Sequence, residues 1–462
     1  MSNEIKLYDT YKRKKRAFVP LEAGKVKIYT CGPTVYDYPH IGNLRAYVFA
    51  DILRRMFEFN GYEVRHVINI TDVGHLKSDA DDGEDKIEAR AREQKRSAWE
   101  IAEFFTDLFK QNFVSLNIKS PTVWSKATEH IPEQIALIER LEKLGYTYKT
   151  SDGVYFDTSK LAKYGYLARL DINGMISGAR VEENSEKRNP TDFAIWKFSP
   201  KAQKRQMEWN SPWGVGFPGW HIECSAMAMK YLGETIDVHT GGIDHIPVHH
   251  TNEIAQSETA TGKQFARYWM HVAFLTVDGG KMSKSLGNFY TLQDIVDKGY
   301  DPLAFRYLLL TAKYSAGLNF TWNSLDGSQK ALSSLRERIT EWDNKDVVPN
   351  SEFIEEFRKL VNDDINTPRA IALAWAVAND KALSDATKRS TILEFDKVLG
   401  LRLGSMVYTE IPAEVQTLVA KRDDLRKEGK WKESDVVRIE IIAQGYEVED
   451  TSTGPRVVKR RS

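Results

Sequence analysis

The sequence predicts an α/β fold built on a parallel sheet, followed by a helical bundle and a small α+β terminus. Three observations carry the first part. Val26–Thr30 (VKIYT) is a short, apolar, β-branched run that stops at Gly32-Pro33. From His40 onward Ile41, Leu44, Val48, Ile52 and Met56 recur at three- and four-residue spacing, an amphipathic helix that Asn60-Gly61 ends. Val64–Thr71 (VRHVINIT) then has the composition of a second strand. Strand, turn, helix and strand within about 45 residues make a βαβ unit, which is Rossmann-like and sends ligands to the C-terminal ends of its strands.

Asp72–Asp85 (DVGHLKSDADDGED) is acidic and polar, a loop by composition, and a long helical pattern follows from Lys86 to Leu116. The stretch 121–200 is rich in turn signals (SDG at Ser151, ING at Ile172, KRNP at Lys187) and has the character of an insertion. The βα pattern resumes with a strand at Glu234–Gly242 and a helix from Val248 to Thr261. Beyond Gly327 apolar stripes separated by short polar joints, at Ala331–Trp342, Phe353–Asp363 and Pro368–Asp380, predict a bundle. Two charged helices, Glu414–Glu428 and Trp431–Gln444, and a hairpin (YEVED, TSTG, PRVVKR) close the chain. The expected organisation is 1–120 and 201–270 as the halves of one sheet domain, 121–200 as a connective insertion, 271–327 as the KMSKS loop and a stem-contact region, 328–403 as the bundle and 404–462 as the terminal unit. No internal repeat or low-complexity tract is present.

Composition bounds the function only loosely. Hydrophobic residues make up 42% and charged residues 28%, a soluble globular balance. Lys plus Arg (65) equals Asp plus Glu (65), so net charge does not argue for nucleic acid; the clusters Lys12–Arg16 and Lys459–Arg461 fit solvated surface runs. Two cysteines cannot build a disulfide framework, and no stretch approaches the roughly 18 apolar residues of a membrane span. The first residues, with Glu4 and Asp9, lack the apolar segment of a signal peptide, so the cytoplasm is the expected compartment.

Chemistry concentrates in three places. His40-Ile41-Gly42-Asn43 (HIGN) opens the first helix, where free N–H groups attract phosphate; Gly42 permits close approach, and His40 and Asn43 can donate hydrogen bonds. Alone, it fits a capping His with a packing Gly equally well. Lys281–Ser285 (KMSKS) follows a VDGG turn, and two lysines three apart on such a loop suit a clamp on phosphates, or simply a solvated basic loop. Third, FPGWHIECSAMA carries Cys224 and HHTNEIAQSE carries His249, His250 and Glu253. In a helix His249 and Glu253 share a face; with Cys31 and Cys224 they give two thiolates, an imidazole and a carboxylate, a set that suits tetrahedral zinc. Without the cysteines, an ordinary buried His and a solvent-facing Glu would be the better reading.

HIGN and KMSKS together resemble the signature motifs of the class I aminoacyl-tRNA synthetases, where both grip ATP. CGPTVYD, NITD, KRNPTDFAIWK, PGWHIECSAMA, HHTNEIAQSE, KMSKSLGNF and DDINTPRAIA narrow the likeness to the cysteinyl-tRNA synthetase family, in its order and over nearly the whole chain. The resemblance implies that Cys31, Cys224, His249 and Glu253 hold a zinc ion (Zn2+, one per chain) that binds the substrate thiolate. It implies further that Thr71, Trp220 and His239 line the amino-acid pocket, and that His40, Gly42, Asn43, Lys281, Ser283 and Lys284 bind ATP, with Mg2+ on its phosphates. It makes 404–462 an anticodon-binding region and implies a monomer that uses L-cysteine, ATP and tRNA(Cys). The chain departs from the family at Thr251, usually acidic, at GGIDHIPVHH, and at DVGHLKSDADDGED, which replaces a shorter acidic stretch. His245 and His250 are therefore additional candidate ligands.

The implied chemistry is internally consistent. Apolar pockets separate near-isosteres such as thiol and hydroxyl only about 100-fold, whereas a soft metal prefers sulfur and favours its thiolate. Selection by metal needs no editing domain, and the insertion is short for one. His40, Asn43, Lys281 and Lys284 would stabilise charge while the cysteine carboxylate attacks the α-phosphorus of ATP. The rivals are a cysteine ligase with an amino-sugar acceptor, a non-catalytic tRNA-binding paralogue, and a purely structural zinc. Lys421, Arg422, Arg426, Lys427, Lys430 and Lys432 in the terminal helices favour tRNA over the amino-sugar, although Asp423, Asp424, Glu428 and Glu433 are interleaved with them.

Overall fold

A computed structural model of the chain describes residues 4–76, 84–170, 186–200, 205–283, 287–404, 412–451 and 454–459. Its centre is a parallel sheet of β1 (Lys25–Thr30), β2 (Glu63–Ile70), β3 (Val123–Lys126), β4 (Ile236–Gly242) and β5 (Ala266–Val272), in the order β5-β4-β1-β2-β3. Central β1 pairs with β2 on one side and β4 on the other, Ile28 lying opposite both His66 and Val238. Val26, Ile28 and Tyr29 are fully buried, as a strand covered on both faces requires. From β1 the chain crosses to β2, and from β4 it crosses the opposite way to β5. Strand order therefore reverses between β1 and β4, and a crevice opens at their C-terminal ends.

Among the described residues, six helices flank this body: α1 (Ile41–Phe59), α2 (Lys86–Gln94), α3 (Ala98–Ser115), α4 (Ile131–Lys143), α5 (Trp220–Leu232) and α6 (His249–Thr261). α1 is the amphipathic helix expected, capped by His40 and stopped at Asn60-Gly61. The single helical pattern over Lys86–Leu116 is in fact two helices. Lys95 turns left-handed (φ 52°), and Ser97 restarts the helix by accepting from the Glu100 N–H while Glu100 accepts from the Ser97 N–H.

The stretch read as an insertion begins with β3, the outer strand of the parallel sheet. It continues into Thr147–Lys149, Gly153–Phe156 and Phe193–Phe198, which Gly216–Pro218 from beyond the stretch completes as a four-stranded antiparallel sheet. The last of these strands runs directly into α5, so the antiparallel sheet aims the helix that carries Trp220 and Cys224.

The bundle comprises Pro302–Leu310, Trp322–Glu341, Ser351–Asn362, Thr367–Asn379 and Asp385–Leu399. It is fastened to α1 through buried charge. Asp51 Oδ2 accepts from Arg55 Nε (2.7 Å) and Arg306 Nη2 (2.6 Å), and Arg306 also donates to the carbonyls of Leu116 and Leu399. Burial pushes the Asp51 carboxyl up, but the two guanidinium groups outweigh it and hold it below the usual range. The terminal helices, Ala413–Lys427 and Trp431–Ala443, and the hairpin Tyr446–Thr451/Gly454–Lys459 form as expected, around a core of Val415, Val437, Ile441, Tyr446 and Val448.

Candidate active site and metal centre

A cavity of about 580 Å3 fills the crevice beyond β1 and β4. Three close approaches shape its floor. Gly32, leaving β1, lies so near the Asn69 carbonyl that a Cβ would fall 1.5 Å from its oxygen, so only glycine fits. Asn69 Oδ1 accepts from the Gly32 N–H (2.6 Å), and the Cys31 N–H donates to the Thr240 carbonyl (3.1 Å). Together these fix Cys31 over the gap between β1 and β4.

At one end stands a buried cluster. Single ligand atoms of Cys31, Cys224, His249 and Glu253 all lie within 4.8 Å of one another. They come from the end of β1, the second turn of α5 and the first two turns of α6. Cys31, His239, His250 and Glu253 form an overlapping set with the same spread. Cys31, Cys224 and His249 line the cavity, whereas His250 and His239 stand behind it. Both of the latter have partners: His250 Nε2 lies 3.2 Å from Cys31 Sγ, its Nδ1 2.7 Å from His271 Nε2, and His239 Nε2 3.1 Å from Glu253 Oε1. The first set, with His249 presenting Nε2 while its Nδ1 meets His221 (3.0 Å), therefore suits a metal facing the cavity. His245 lines the cavity without joining either set.

The electrostatics fit a cation. Burial pushes the Cys31 thiol and the Glu253 carboxyl well up and the His249 and His250 imidazoles well down; burial takes His239 down to about 3. Glu253 Oε2 is buried with no hydrogen-bond partner. A buried pocket that favours the neutral forms of Cys31, His249 and Glu253 and orphans a carboxylate oxygen is what a divalent ion would complete, and two sulfurs with one nitrogen and one oxygen suit Zn2+.

At the other end His40 caps α1. The Asn43 N–H donates to His40 Nδ1 (3.2 Å) and the His40 N–H donates to Asn43 Oδ1 (3.1 Å). With Nδ1 accepting, the proton of the neutral ring sits on Nε2, and Asn43 keeps its amide hydrogens for a ligand. Burial lowers the His40 pKa, against a smaller opposing pull from Asp244. Gly42 packs on the KMSKS segment, where a Cβ would come 2.6 Å from Met282 Cε. Asn288 holds that segment, accepting from the Ser283 N–H (2.8 Å) and donating to the Lys281 carbonyl (3.1 Å). His40, Gly42, Asn43, Met282 and Ser283 thus share one wall; Lys281 is exposed beside it, and Lys284 lies outside the described residues.

The tRNA synthetases class I (C) catalytic domain model matches residues 17–330. Cysteine-tRNA ligase 1 of Burkholderia lata is 53% identical over 456 residues, covering 98% of this chain and 96% of its own. The chain belongs to the cysteinyl-tRNA synthetase family. The cysteine-tRNA ligase of Treponema denticola, 42% identical, covers 96% of this chain and 98% of its own. Solved class I synthetases share the fold at low identity. Mycobacterium tuberculosis methionyl-tRNA synthetase in complex with methionyl-adenylate has a TM-score of 0.55 and 16% identity over 82% of this chain and 90% of its own. LeuRS of Agrobacterium radiobacter K84, in a ternary complex with tRNA and LeuAMS, gives 0.58 and 13% over 84% and 85%.

Within this member of the family, Trp220 lines the cavity and stacks on His249 (centroids 4.5 Å apart), beside the cluster. Thr71 is buried behind Asn69, whose amide donates to its hydroxyl (3.1 Å), and is not in the cavity wall. Sequence reasoning missed Asn69, Asp244, Asn288 and His75, all at the site. Asn69 sits in NITD and Asn288 in KMSKSLGNF, so the signal for these two was present in the motifs.

Proposed function

We propose that the chain activates L-cysteine with ATP, forming cysteinyl-adenylate and pyrophosphate, and transfers cysteine to the 3′ end of tRNA(Cys). Zn2+ would be held by Cys31, Cys224, His249 and Glu253, and Mg2+ would accompany ATP. One observation carries the reading: a thiol-rich donor cluster and an HIGN–KMSKS wall occupy opposite ends of a single cavity. Zinc bound there supplies a Lewis acid that takes up a soft, deprotonated sulfur in preference to an alcohol oxygen.

The chain's own groups do the rest. Trp220 and the floor of the crevice exclude water from the amino acid. The α1 N-terminus, His40 Nε2–H and the Asn43 amide hold the phosphates by hydrogen bonds and by the positive end of the helix dipole. Lys281 and Lys284 add positive charge from the KMSKS side, stabilising the negative charge spread over the phosphate oxygens as the carboxylate attacks in line. No side chain need take a proton in this step. The terminal helices and hairpin, with their separate core, would grip the anticodon arm, and the protein would work as a cytoplasmic monomer.

The test is a pair of assays on one preparation. Cysteine-dependent ATP–pyrophosphate exchange, with serine at least about 100-fold poorer, is expected together with charging of tRNA(Cys). Adenylate formation without tRNA charging, coupled to consumption of an amino-sugar, would transfer the chain to the rival ligase reading.

A further inference from the structure

The base of the segment Asp72–Asp85 belongs to the active site. The Gly74 N–H donates to Asp85 Oδ2 (3.0 Å), the Lys86 N–H donates to the His75 carbonyl (3.0 Å), and Leu76 bridges to Asp85. Asp85 also caps α2 and is paired with Arg205 (2.7 Å). This closed neck fixes His75 and Lys86 side by side on the cavity wall, with Thr34 across from them.

His75 is held on three sides. Its ring stacks on Trp220 at 4.4 Å and 15°, making the near layer of a His75–Trp220–His249 stack that ends in the metal cluster. Its Nδ1 lies 2.5 Å from Thr34 Oγ1 and its Nε2 2.9 Å from Lys86 Nζ. An ammonium only donates, so Nε2 must accept; the ring proton then sits on Nδ1 and is donated to Thr34. The imidazole is a neutral bracket that fixes the position of a positive charge.

That charge stands on the amino-acid side of the cavity. His75 contacts Trp220, one ring away from the thiolate site, whereas the phosphates belong at the α1 N-terminus. An amino acid anchored by its sulfur at the cluster must extend its carboxylate back into the space between the two ends, past Trp220. We propose that Lys86 binds the α-carboxylate of the substrate amino acid, and that His75 is the positioning residue that holds Lys86 for it. The inference rests on the cysteine-activating reading above. Because the carboxylate loses its full charge on becoming an adenylate, the interaction serves substrate binding more than the transition state, and its loss shows in KM for cysteine.

Pyrophosphate exchange measured with Lys86→Met, Lys86→Arg and His75→Gln tests this. Lys86→Met should raise KM for cysteine about 10- to 100-fold, the range of a charge-assisted hydrogen bond, with KM for ATP within about twofold. Lys86→Arg should recover part of the loss. Gln keeps an acceptor near Nε2 but lacks the stacking ring, so His75→Gln should raise the same KM by a smaller factor. The double variant His75→Gln/Lys86→Met should be no worse than Lys86→Met, since His75 acts through Lys86. A rise in KM for ATP, unchanged constants in Lys86→Met, or additive effects in the double variant would each overturn the assignment. An intact ATP KM reports that the variants are folded. Wild-type exchange in the same series keeps the outcomes separate: its absence would sink the cysteine-activating reading itself, not this assignment alone.

Discussion

The two ends of the cavity are built on opposite plans. At the metal end Cys31, Cys224, His249 and Glu253 are buried, and a second layer of His221, His239, His250 and His271 stands behind them. At the phosphate end Asn43 and Lys281 are exposed, and Asn288 ties Lys281 and Ser283 by two side-chain hydrogen bonds. The difference follows from what each end must do. Choosing sulfur over oxygen requires ligand atoms held rigidly in a dry place, because any slack would admit water or an alcohol. Gripping a triphosphate and then releasing pyrophosphate requires a wall that opens, and polar loops with few buried contacts open at low cost.

The strongest way to break this contrast is at its rigid end. Cys31→Ala removes a proposed ligand that stands over the floor of the crevice. Since loss of a mere supporting partner costs about 10- to 100-fold in metal affinity, loss of a ligand should exceed about 100-fold in cysteine-dependent exchange, with zinc content falling in parallel. KM for ATP should stay near wild type. If exchange and cysteine-over-serine selectivity survive in metal-free Cys31→Ala, the metal only pins the fold.

A subtler cut tests the second layer. A chain runs from Cys31 Sγ through His250 and His271 to Thr10 Oγ1 (3.2, 2.7 and 2.9 Å), reaching the turn of an antiparallel hairpin, Lys6–Asp9/Lys14–Ala17, that precedes β1. Such a chain fixes ring orientation at the thiolate. His250→Gln should weaken zinc binding about 10- to 100-fold, measured by competition with a chelator, while exchange recovers on adding excess zinc. Activity that excess zinc fails to restore would mean that His250 is itself a ligand, in the overlapping set with His239.

The same contrast governs what could be read from the sequence. β1, α1 and β2 were legible because each has a clean period and a clear stop, and the four cluster residues because motifs and family resemblance marked them. β3 was not: four residues, Val123–Lys126, carry too little pattern to be told from a loop, and only pairing with β2 makes them a strand. The break at Lys95 was hidden because neither Gly nor Pro marks it, although Ser97 and Glu100 spell a capping box. The neck of Asp72–Asp85 misled most. Its acids suggest solvent, yet Asp72, His75 and Asp85 are buried on partners from elsewhere: Thr128, Trp220 and Arg205. Composition reports the average neighbour of a residue, and a buried polar network is made of exceptional ones.

The smallest expected effect lies at the open end and sharpens the comparison by its modesty. Asn288→Ala removes two side-chain hydrogen bonds to residues 281 and 283, beside the HIGN wall. Each joins partly exposed groups that water can satisfy, so the loss should be about 3- to 10-fold, appearing in kcat or in KM for ATP. KM for cysteine and zinc content should not move, because no atom of Asn288 touches the cluster or Trp220. A closing loop gains its positional advantage only once phosphate is bound, so the defect should be larger in exchange than in equilibrium ATP binding by the free protein. An equal loss in both would mean that the segment is fixed rather than closing, and the two ends of the cavity would then differ in exposure but not in plan.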